Sequence, residues 1–270
     1  MSYALDMEPK KSLGQNFLVD QNVVRDLTDA AKIGKKDVVL EVGAGTGAVT
    51  KRLAQTAGKV IAVEFDRELI PPLKLDLQGL KNVEIINADI LSLDLKPYAL
   101  NPNFKIVGSI PYQITSPLIH KILHSSNRPK SITFIVQKEV AEKIAAKAPD
   151  ATYLSNFVAN FGEARIIRVI KPGAFSPQPK VGSAIIQIEL YPKPKIEDTL
   201  KLEKFLHHGF MHPRKMLHHQ FAADILAQSK VPAQARPAHL SKEDWHTLYR
   251  ELSRTKERSK TRRGDGMWRS

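Results

Sequence analysis

The stretch VGSIPYQIT, residues 107–115, combines residue types that could bind a flat base. A backbone carbonyl beside a proline is a rigid hydrogen-bond acceptor, a short polar side chain is a second acceptor, and an aromatic ring stacks on a base. The residues concerned are Ser109, Ile110, Pro111 and Tyr112. They predict a pocket that holds a base and the nitrogen on its edge, although an ordinary strand-to-loop exit fits them as well.

A second candidate site follows an earlier apolar run. Residues 38–42 lead into Gly43-Ala44-Gly45-Thr46-Gly47 and then into a helical pattern. Glycines let a ligand approach the backbone, and the start of the helix is partly positive. Glu64 ends the next predicted strand, where a carboxylate accepts ribose hydroxyls, and Asp89 ends the third, within reach of an adenine edge. Together these strand ends predict an adenosine site.

Two classes of cofactor fit this adenosine site. Gly43, Gly45 and Ala48 satisfy G-x-G-x-x-A, and Glu64 has the spacing of a dehydrogenase that binds NAD. S-adenosylmethionine presents the same adenosine without a pyrophosphate, which suits E-V-G-A-G-T-G with its leading Glu41. We find no set of residues for hydride transfer, so the sequence favours S-adenosylmethionine.

Methylation of an adenine amine would use both candidate sites. The lone pair of that nitrogen is delocalised into the ring, so two acceptors that bind its N–H groups favour attack on the methyl group. A sulfonium methyl group is already activated, and correct placement is then most of the catalysis.

Composition limits the class of protein. The 270 residues are 42% hydrophobic, enough for a core, and include no cysteine, which excludes disulfides and fits a cytoplasmic protein. The N-terminus lacks the layout of a signal peptide, and no apolar run approaches the roughly 20 residues of a membrane span. The 41 basic and 28 acidic side chains give a net charge of +13, which favours a nucleic acid partner.

The elements that must position these residues alternate along the chain. Strands are predicted at 37–42, 59–65, 83–89, 104–110, 131–137, 164–170 and 183–191, and helices at 46–56, 69–77 and 138–148. This alternation predicts an α/β fold with a mainly parallel sheet. Proline-rich residues 191–198 indicate a linker, so we predict a first domain at 1–190 and a small helical domain at 191–270.

The predicted second domain contains three helical patterns. They are LEKFLHHGF, RKMLHHQFAADIL and LSKEDWHTLYREL, the last with an N-cap arrangement of Ser241 and Asp244 and with Trp245 as a core residue. Residues 254–270 carry seven basic and two acidic side chains and predict a mobile tail that binds an anion. The histidines between 207 and 219 have neither cysteine nor a carboxylate at ligand spacing, so we expect no metal.

Eight stretches, in order, resemble the bacterial KsgA-type family of ribosomal RNA small-subunit adenine dimethyltransferases. They cover most of the chain: KSLGQNFLVD, EVGAGTGAVT, VEFDRELIPPL, NADIL, VGSIPYQITSPLI, QKEVAEKIAA, AFSPQPKVGSAII and ARPAHLSKEDWHTLY. The resemblance implies a Rossmann-like class I domain that binds S-adenosylmethionine, followed by a small all-helical domain. It also implies dimethylation of two adjacent adenosines near the 3′ end of small-subunit rRNA, on the immature subunit. We expect the protein to be a monomer.

The resemblance also assigns roles by position. Around S-adenosylmethionine it implies Gln15, Asn16, Leu18, Gly43, Gly45, Glu64, Asp89 and Ser109. Around the target base it implies Ser109, Ile110, Pro111, Tyr112 and Phe175. Arg214 and Lys215, and in the tail Arg258, Arg262 and Arg263, are the candidate RNA contacts.

One departure from the family concerns the residue at position 109. The family usually has Asn as the first residue of its N-[LI]-P-Y motif, whereas this chain has Ser109. A serine hydroxyl also accepts a hydrogen bond but is shorter, and loss of a well-placed acceptor costs on the order of 10² to 10³ in rate. We expect an active, slower enzyme. An RNA-binding assembly factor with little catalysis and a large-subunit methyltransferase of the macrolide-resistance type remain alternatives.

Overall fold

The computed structural model describes residues 9–10 and 13–264, with side chains as far as Thr255. The chain forms two compact units. The first contains residues up to Glu142 together with Gly162–Pro192, and the second contains Lys143–Phe161 and the chain from Lys193 onward. Residues 143–161 therefore belong with the helical unit, whereas the sequence predicts a single boundary at 190. No change of composition marks this segment; its helix packs against helices that come more than forty residues later.

The first unit is built on a seven-stranded sheet. Its strands are β2 (Val38–Val42), β3 (Lys59–Glu64), β4 (Val83–Asn87), β5 (Phe104–Ser109), β6 (Ser131–Gln137), β7 (Gly162–Ile170) and β9 (Ser183–Leu190). Their order is β4-β3-β2-β5-β6-β9-β7. The strands from β2 to β6 pair in parallel, and β9 is antiparallel to both its neighbours. The predicted α/β fold with a mainly parallel sheet is confirmed.

The strand order reverses between β2 and β5. These strands are neighbours with Val42 opposite Gly108, but the chain leaves β2 toward β3 and returns to β5 only later. Ligands of open α/β sheets bind at the carboxyl ends of the strands at such a reversal. The glycine loop follows β2 and the segment 109–112 follows β5, so the fold brings the two candidate sites to this point.

Helices follow several of the strands, and the last of them crosses the boundary between the units at Glu142. They are α1 (Gln21–Ala30), α2 (Ala48–Thr56), α3 (Ile70–Asp76), α4 (Thr115–His124) and α5 (Lys138–Ala145). The Asp20 carboxylate caps α1 by accepting from the backbone N–H of Asn22. A short antiparallel pair, β1 (Phe17–Leu18) with β8 (Phe175–Ser176), was not predicted, because two-residue strands carry no periodicity.

The second unit is helical, with α6 (Tyr153–Ala159), α7 (Thr199–Phe210), α8 (Ala223–Gln228) and α9 (Lys242–Gly264). Trp245 is fully buried against the rings of Phe205, Phe210 and Phe221. A Cβ at Gly209 would lie 2.4 Å from the Trp245 ring, so α7 approaches α9 closely there. The predicted core role of Trp245 is confirmed.

Both ends of α9 bear on the sequence predictions. At its start, the backbone N–H of Asp244 donates to Ser241 Oγ, and Asp244 Oδ2 accepts from the backbone N–H of Ser241, as predicted. At its end, residues 254–264 continue the helix, which the sequence does not predict; the mobility of the tail stays a prediction, and its residues 265–270 lie outside the described residues. Basic residues have good helix propensity, and a charge count does not detect that.

The pattern RKMLHHQFAADIL, residues 214–226, does not form one helix. The backbone N–H of Leu217 donates to Ala235 O and that of His218 to Ala233 O, instead of to carbonyls one turn earlier. The stretch forms a short 3₁₀ helix at Leu217–His219 and then α8. Across the described residues of both units, no helix is long and apolar enough to cross a membrane.

Candidate functional site

A cavity of about 290 Å³ opens at the carboxyl ends of β2, β3, β4 and β5. This volume is close to the roughly 300 Å³ at which pockets for small molecules begin. Every residue predicted for the cofactor or the target base lines it: Gln15, Asn16, Leu18, Gly43, Gly45, Glu64, Asp89, Ser109, Ile110, Pro111, Tyr112 and Phe175. The fold thus places the two candidate sites in one cavity, while the role of each residue stays a prediction.

The glycine loop depends on backbone conformations that other residues rarely adopt. Gly43, Gly45 and Gly47 have φ of +74°, +54° and +76°. The backbone N–H of Gly43 donates to Val63 O at 2.9 Å, which fixes the loop to β3. A Cβ at Gly43 would lie 3.1 Å from the carbonyl oxygen of Ser109. A side chain at position 43 would therefore collide with the backbone of the segment after β5.

Glu64 is held in the cavity wall by two backbone groups. Its Oε2 accepts from the N–H of Gly45 at 2.9 Å and its Oε1 from the N–H of Asp66 at 2.8 Å. Burial raises the pKa of Glu64, and these hydrogen bonds oppose the rise. The carboxylate is thereby fixed in orientation at the end of β3, where a ribose is expected.

Asp66 connects the end of β3 to the N-terminal segment. Its Oδ1 accepts from Lys10 Nζ at 2.8 Å and its Oδ2 from Gln15 Nε2 at 2.8 Å. Lys10 Nζ also lies 2.9 Å from Glu68. These contacts hold the residues around Gln15 against the cavity.

Asp89 is fixed by the segment that follows it. Its Oδ1 accepts from the N–H of Leu91 at 2.8 Å, and its backbone carbonyl accepts from the N–H groups of Ser92 and Leu93. Asn87 Nδ2 donates to the carbonyl oxygens of Glu64 and Phe65, which joins this segment to β3. The carboxylate at the end of β4 therefore has one defined orientation.

The segment 109–112 turns directly from a strand into a helix. Ile110 precedes a proline, which favours an extended backbone, and residues Tyr112–Ile114 begin a 3₁₀ turn that continues as α4. The hydroxyl of Tyr112 lies 2.7 Å from Ser183 Oγ, a fully buried group at the start of β9. Burial raises the pKa of Tyr112, so its hydroxyl stays protonated and is not a base at neutral pH.

A further carboxyl group lies beneath the glycine loop. Glu41 is only 1% exposed, and among the described residues its Oε2 has no hydrogen-bond partner. Burial, reinforced by the charge of Glu64, raises the pKa of Glu41 to about 8. Glu41 does not line the cavity and is a buried part of the fold near the site.

The cavity fits the adenosine and methionine parts of S-adenosylmethionine. The backbone of Gly43 and Gly45 lines the cavity, a carboxylate follows β3, and a second carboxylate follows β4. No pyrophosphate is needed to explain these groups. Phe175 is 4% exposed, pairs with Leu18 across β1 and β8, and closes one side of the cavity.

The predicted RNA contacts lie elsewhere. Arg214 and Lys215 are exposed on a loop of the helical unit after α7. Arg258, Arg262 and Arg263 belong to α9, but their side chains lie outside the described residues. The expectation of no metal at the histidines between 207 and 219 stays a prediction.

Sequence reasoning missed several residues around the cavity. Phe17 and Phe65 line it, and Phe65 is 59% exposed, which is unusual for phenylalanine. An apolar residue directly after the carboxylate of β3 was the available signal for Phe65. Ser183 had no signal, because only the fold brings it to Tyr112.

Comparison with known proteins agrees with this geometry. A family model described as ribosomal RNA adenine dimethylase matches residues 7–254. A protein of Alkaliphilus oremlandii named ribosomal RNA small subunit methyltransferase A is 35% identical over 263 residues, covering 90% of this chain and 92% of the relative. A protein of the same name from Shouchella clausii is 38% identical and covers 77% of this chain and 73% of the relative.

Solved structures show the same architecture. The 23S rRNA methyltransferase ErmE has a TM-score of 0.73 at 27% identity, over 88% of this chain and all of that one. A dimethyladenosine transferase from Plasmodium falciparum has a TM-score of 0.75 at 25% identity, over 88% of this chain and 98% of that one. The first unit has the fold of a class I methyltransferase, and the chain belongs to the ribosomal RNA adenine dimethylase family.

Proposed function

We propose that this protein uses S-adenosylmethionine to dimethylate the exocyclic amines of two adjacent adenosines near the 3′ end of small-subunit rRNA. One observation carries the proposal. The glycine loop after β2 and the base-binding segment after β5 meet in one cavity, where a Cβ at Gly43 would already lie 3.1 Å from Ser109 O. A methyl donor and a target amine bound by residues of these two segments would therefore share one cavity.

S-adenosylmethionine supplies an activated methyl group when bound. Glu64 would accept hydrogen bonds from the ribose hydroxyls and Asp89 from the adenine amine, and the backbone of Gly43 and Gly45 would lie beside the methionine part. Gln15, Asn16 and Leu18 would cover the cofactor from the N-terminal segment. No metal is needed in this chemistry.

The target adenine would be held by residues of the segment after β5. The Ser109 hydroxyl and the Ile110 carbonyl would accept hydrogen bonds from the amine and localise its lone pair, and Pro111 would keep that carbonyl fixed. The Tyr112 ring would stack on the base, with Phe175 on the same wall of the cavity. The proton released after methyl transfer passes to water, because an ammonium nitrogen bonded to the adenine ring is a strong acid.

The basic charge supports a ribosomal RNA partner. Arg214 and Lys215 are exposed, and together with Arg258, Arg262 and Arg263 they would bind phosphates of the immature small subunit. We assign the first unit to catalysis and the helical unit to RNA. We further propose that the protein acts as a monomer in the cytoplasm, where assembling subunits are found.

Methyl transfer to unmodified small subunits tests the proposal. Purified protein is incubated with labelled S-adenosylmethionine and with small or large subunits that lack the modification, and nucleosides of the product are analysed. Dimethyladenosine at two adjacent positions of small-subunit rRNA is expected. Label in the large subunit instead would indicate the specificity suggested by the likeness to ErmE.

The variant Ser109→Asn separates an enzyme from an assembly factor. If Ser109 serves as an acceptor, the wild-type chain already turns over and the change raises the rate little; a rise on the order of 10² to 10³ would mean that the native site is compromised. Binding of cofactor and subunits without any transfer by the wild type would identify a binding factor.

A further inference from the structure

Lys121 of α4 makes an unusual set of contacts. Its ammonium group donates to three backbone carbonyls, those of Ile90 at 2.9 Å, Leu91 at 2.7 Å and Leu93 at 2.6 Å. An ammonium has three N–H donors, so every one of them is used. All three acceptors belong to one short segment that follows β4.

That segment forms the wall of the cavity at the adenine end. Ala88, Asp89, Ile90 and Leu91 all line the cavity. Two of the carbonyls that Lys121 binds belong to this wall, and the third follows two residues later. Because three carbonyl oxygens point to one place, their dipoles repel one another unless a cation lies among them. The conformation of the segment therefore depends on the ammonium of Lys121.

We propose that Lys121 is a positioning residue for the cofactor: it fixes residues 88–93 and thereby aims the Asp89 carboxylate at the adenine. The proposal rests on the proposed use of S-adenosylmethionine in this cavity. Lys121 itself does not line the cavity and does not act on the reacting atoms. Burial lowers the pKa of Lys121, whereas Asp89 and Asp94 oppose this, as expected for a cation held between carbonyls and nearby carboxylates.

Lys105 of β5 provides a matched control. Its ammonium also donates to backbone carbonyls, those of Ala31 and Lys32, and pairs with Asp37. These contacts lie at the opposite end of the sheet, beside the start of β2. A lysine that serves stability and a lysine that serves the cofactor can therefore be compared within one unit.

The test measures cofactor affinity directly. The dissociation constants of S-adenosylmethionine and S-adenosylhomocysteine are measured by calorimetry for the full-length wild type, Lys121→Met and Lys105→Met. We expect Lys121→Met to weaken both by about tenfold or more, since hydrogen bonds to a charged group are lost. Lys105→Met should lower the midpoint of thermal unfolding and leave both constants unchanged. In kinetics, Lys121→Met should raise KM for the cofactor and leave kcat at saturation intact.

The outcomes separate this inference from the proposed function. Failure of the wild type to bind the cofactor would overturn the proposed function together with this inference. Normal binding by both the wild type and a folded Lys121→Met would overturn this inference alone, as would an equal loss in the two lysine variants. If Lys121→Met does not fold, Lys121→Gln and Lys105→Gln, which keep two N–H donors each, are compared in the same way.

Discussion

The two ends of the parallel sheet differ in whether their buried polar groups have partners. At the amino end, the Lys105 ammonium lies 2.9 Å from the Asp37 carboxylate, and both side chains are largely buried. At the carboxyl end, Glu41 is buried with an oxygen that has no partner among the described residues, and three glycines adopt positive φ. A buried polar group that is paired avoids the desolvation cost that an unpaired buried group carries, whatever the function of either. The comparison indicates that buried polar groups are paired at the amino end of the sheet, whereas the carboxyl end, beside the cavity, keeps a group that costs stability.

Among the changes considered, Glu41→Gln should have the largest effect, and the effect is on how the free energy of unfolding depends on pH. The pKa of Glu41 is raised from 4.5 to about 8 in the folded chain. Below pH 4.5 the Glu41 carboxyl is protonated in both the folded and the unfolded state. As the pH rises to about 8, this carboxyl ionises only in the unfolded state, so the free energy of unfolding falls by a total on the order of 4 kcal/mol. Glu41→Gln should remove this decline, measured as the free energy of unfolding at pH 5 and pH 8. Glu84→Gln, at a half-exposed carboxylate of β4, is the control. Parallel pH profiles of Glu41→Gln and the wild type would refute the assignment.

Tyr112→Ala should reduce methyl transfer by about a hundredfold, because base stacking is worth about 1–3 kcal/mol and the turn also places the amine. Cofactor affinity should persist, since the glycine loop is unchanged. Tyr98→Ala removes a half-buried tyrosine near the amino ends of β2 and β3 and should leave transfer intact. Methyl transfer by both variants is measured at saturating cofactor. Equal losses of transfer in the two variants would count against a role of Tyr112 in base binding.

Asp37→Asn should affect stability alone. The change weakens a largely buried pair, while Lys105 keeps two carbonyl acceptors, so we expect a loss of about 2 kcal/mol in the free energy of unfolding. Methyl transfer below the unfolding temperature should match the wild type. A specific fall in transfer without a fall in stability would contradict the division of the sheet into two ends.

Ser183→Ala should have the smallest effect. It removes the partner of the Tyr112 hydroxyl, which is worth about 1 kcal/mol, so transfer should fall by a few fold. Tyr112→Phe removes the same hydrogen bond from the other side, and the double variant should be no worse than the poorer single variant. Ser131→Ala, at a buried serine that begins β6, is the control. Additive losses would mean that the two groups act separately.

The sequence predicts the sheet well because its strands are buried β-branched runs between turn residues. The strand ends then bring Gly43, Glu64, Asp89 and Ser109 together, since the carboxyl ends of parallel strands share one edge. Local pattern was sufficient for these residues, because each follows directly on a strand that the pattern identifies.

The sequence pattern could not predict contacts between residues that are far apart along the chain. Ser183 is 71 residues from Tyr112, and Lys121 is about 30 from the carbonyls that it binds. Nothing near either residue in sequence indicates its partner. The same reason explains the break at Leu217, whose backbone N–H bonds to Ala235, and the assignment of 143–161 to the helical unit.

The contacts of Lys10 have a consequence for ionic strength. Lys10 is one-third exposed and pairs with Asp66 and with Glu68, which is more exposed still. Salt screens such pairs, with a Debye length of about 10 Å at 0.1 M. Added salt should therefore loosen the N-terminal segment beside the cavity as well as the phosphate contacts that we propose for the RNA. A salt titration of turnover would then overcount phosphate contacts unless cofactor affinity is measured at each concentration.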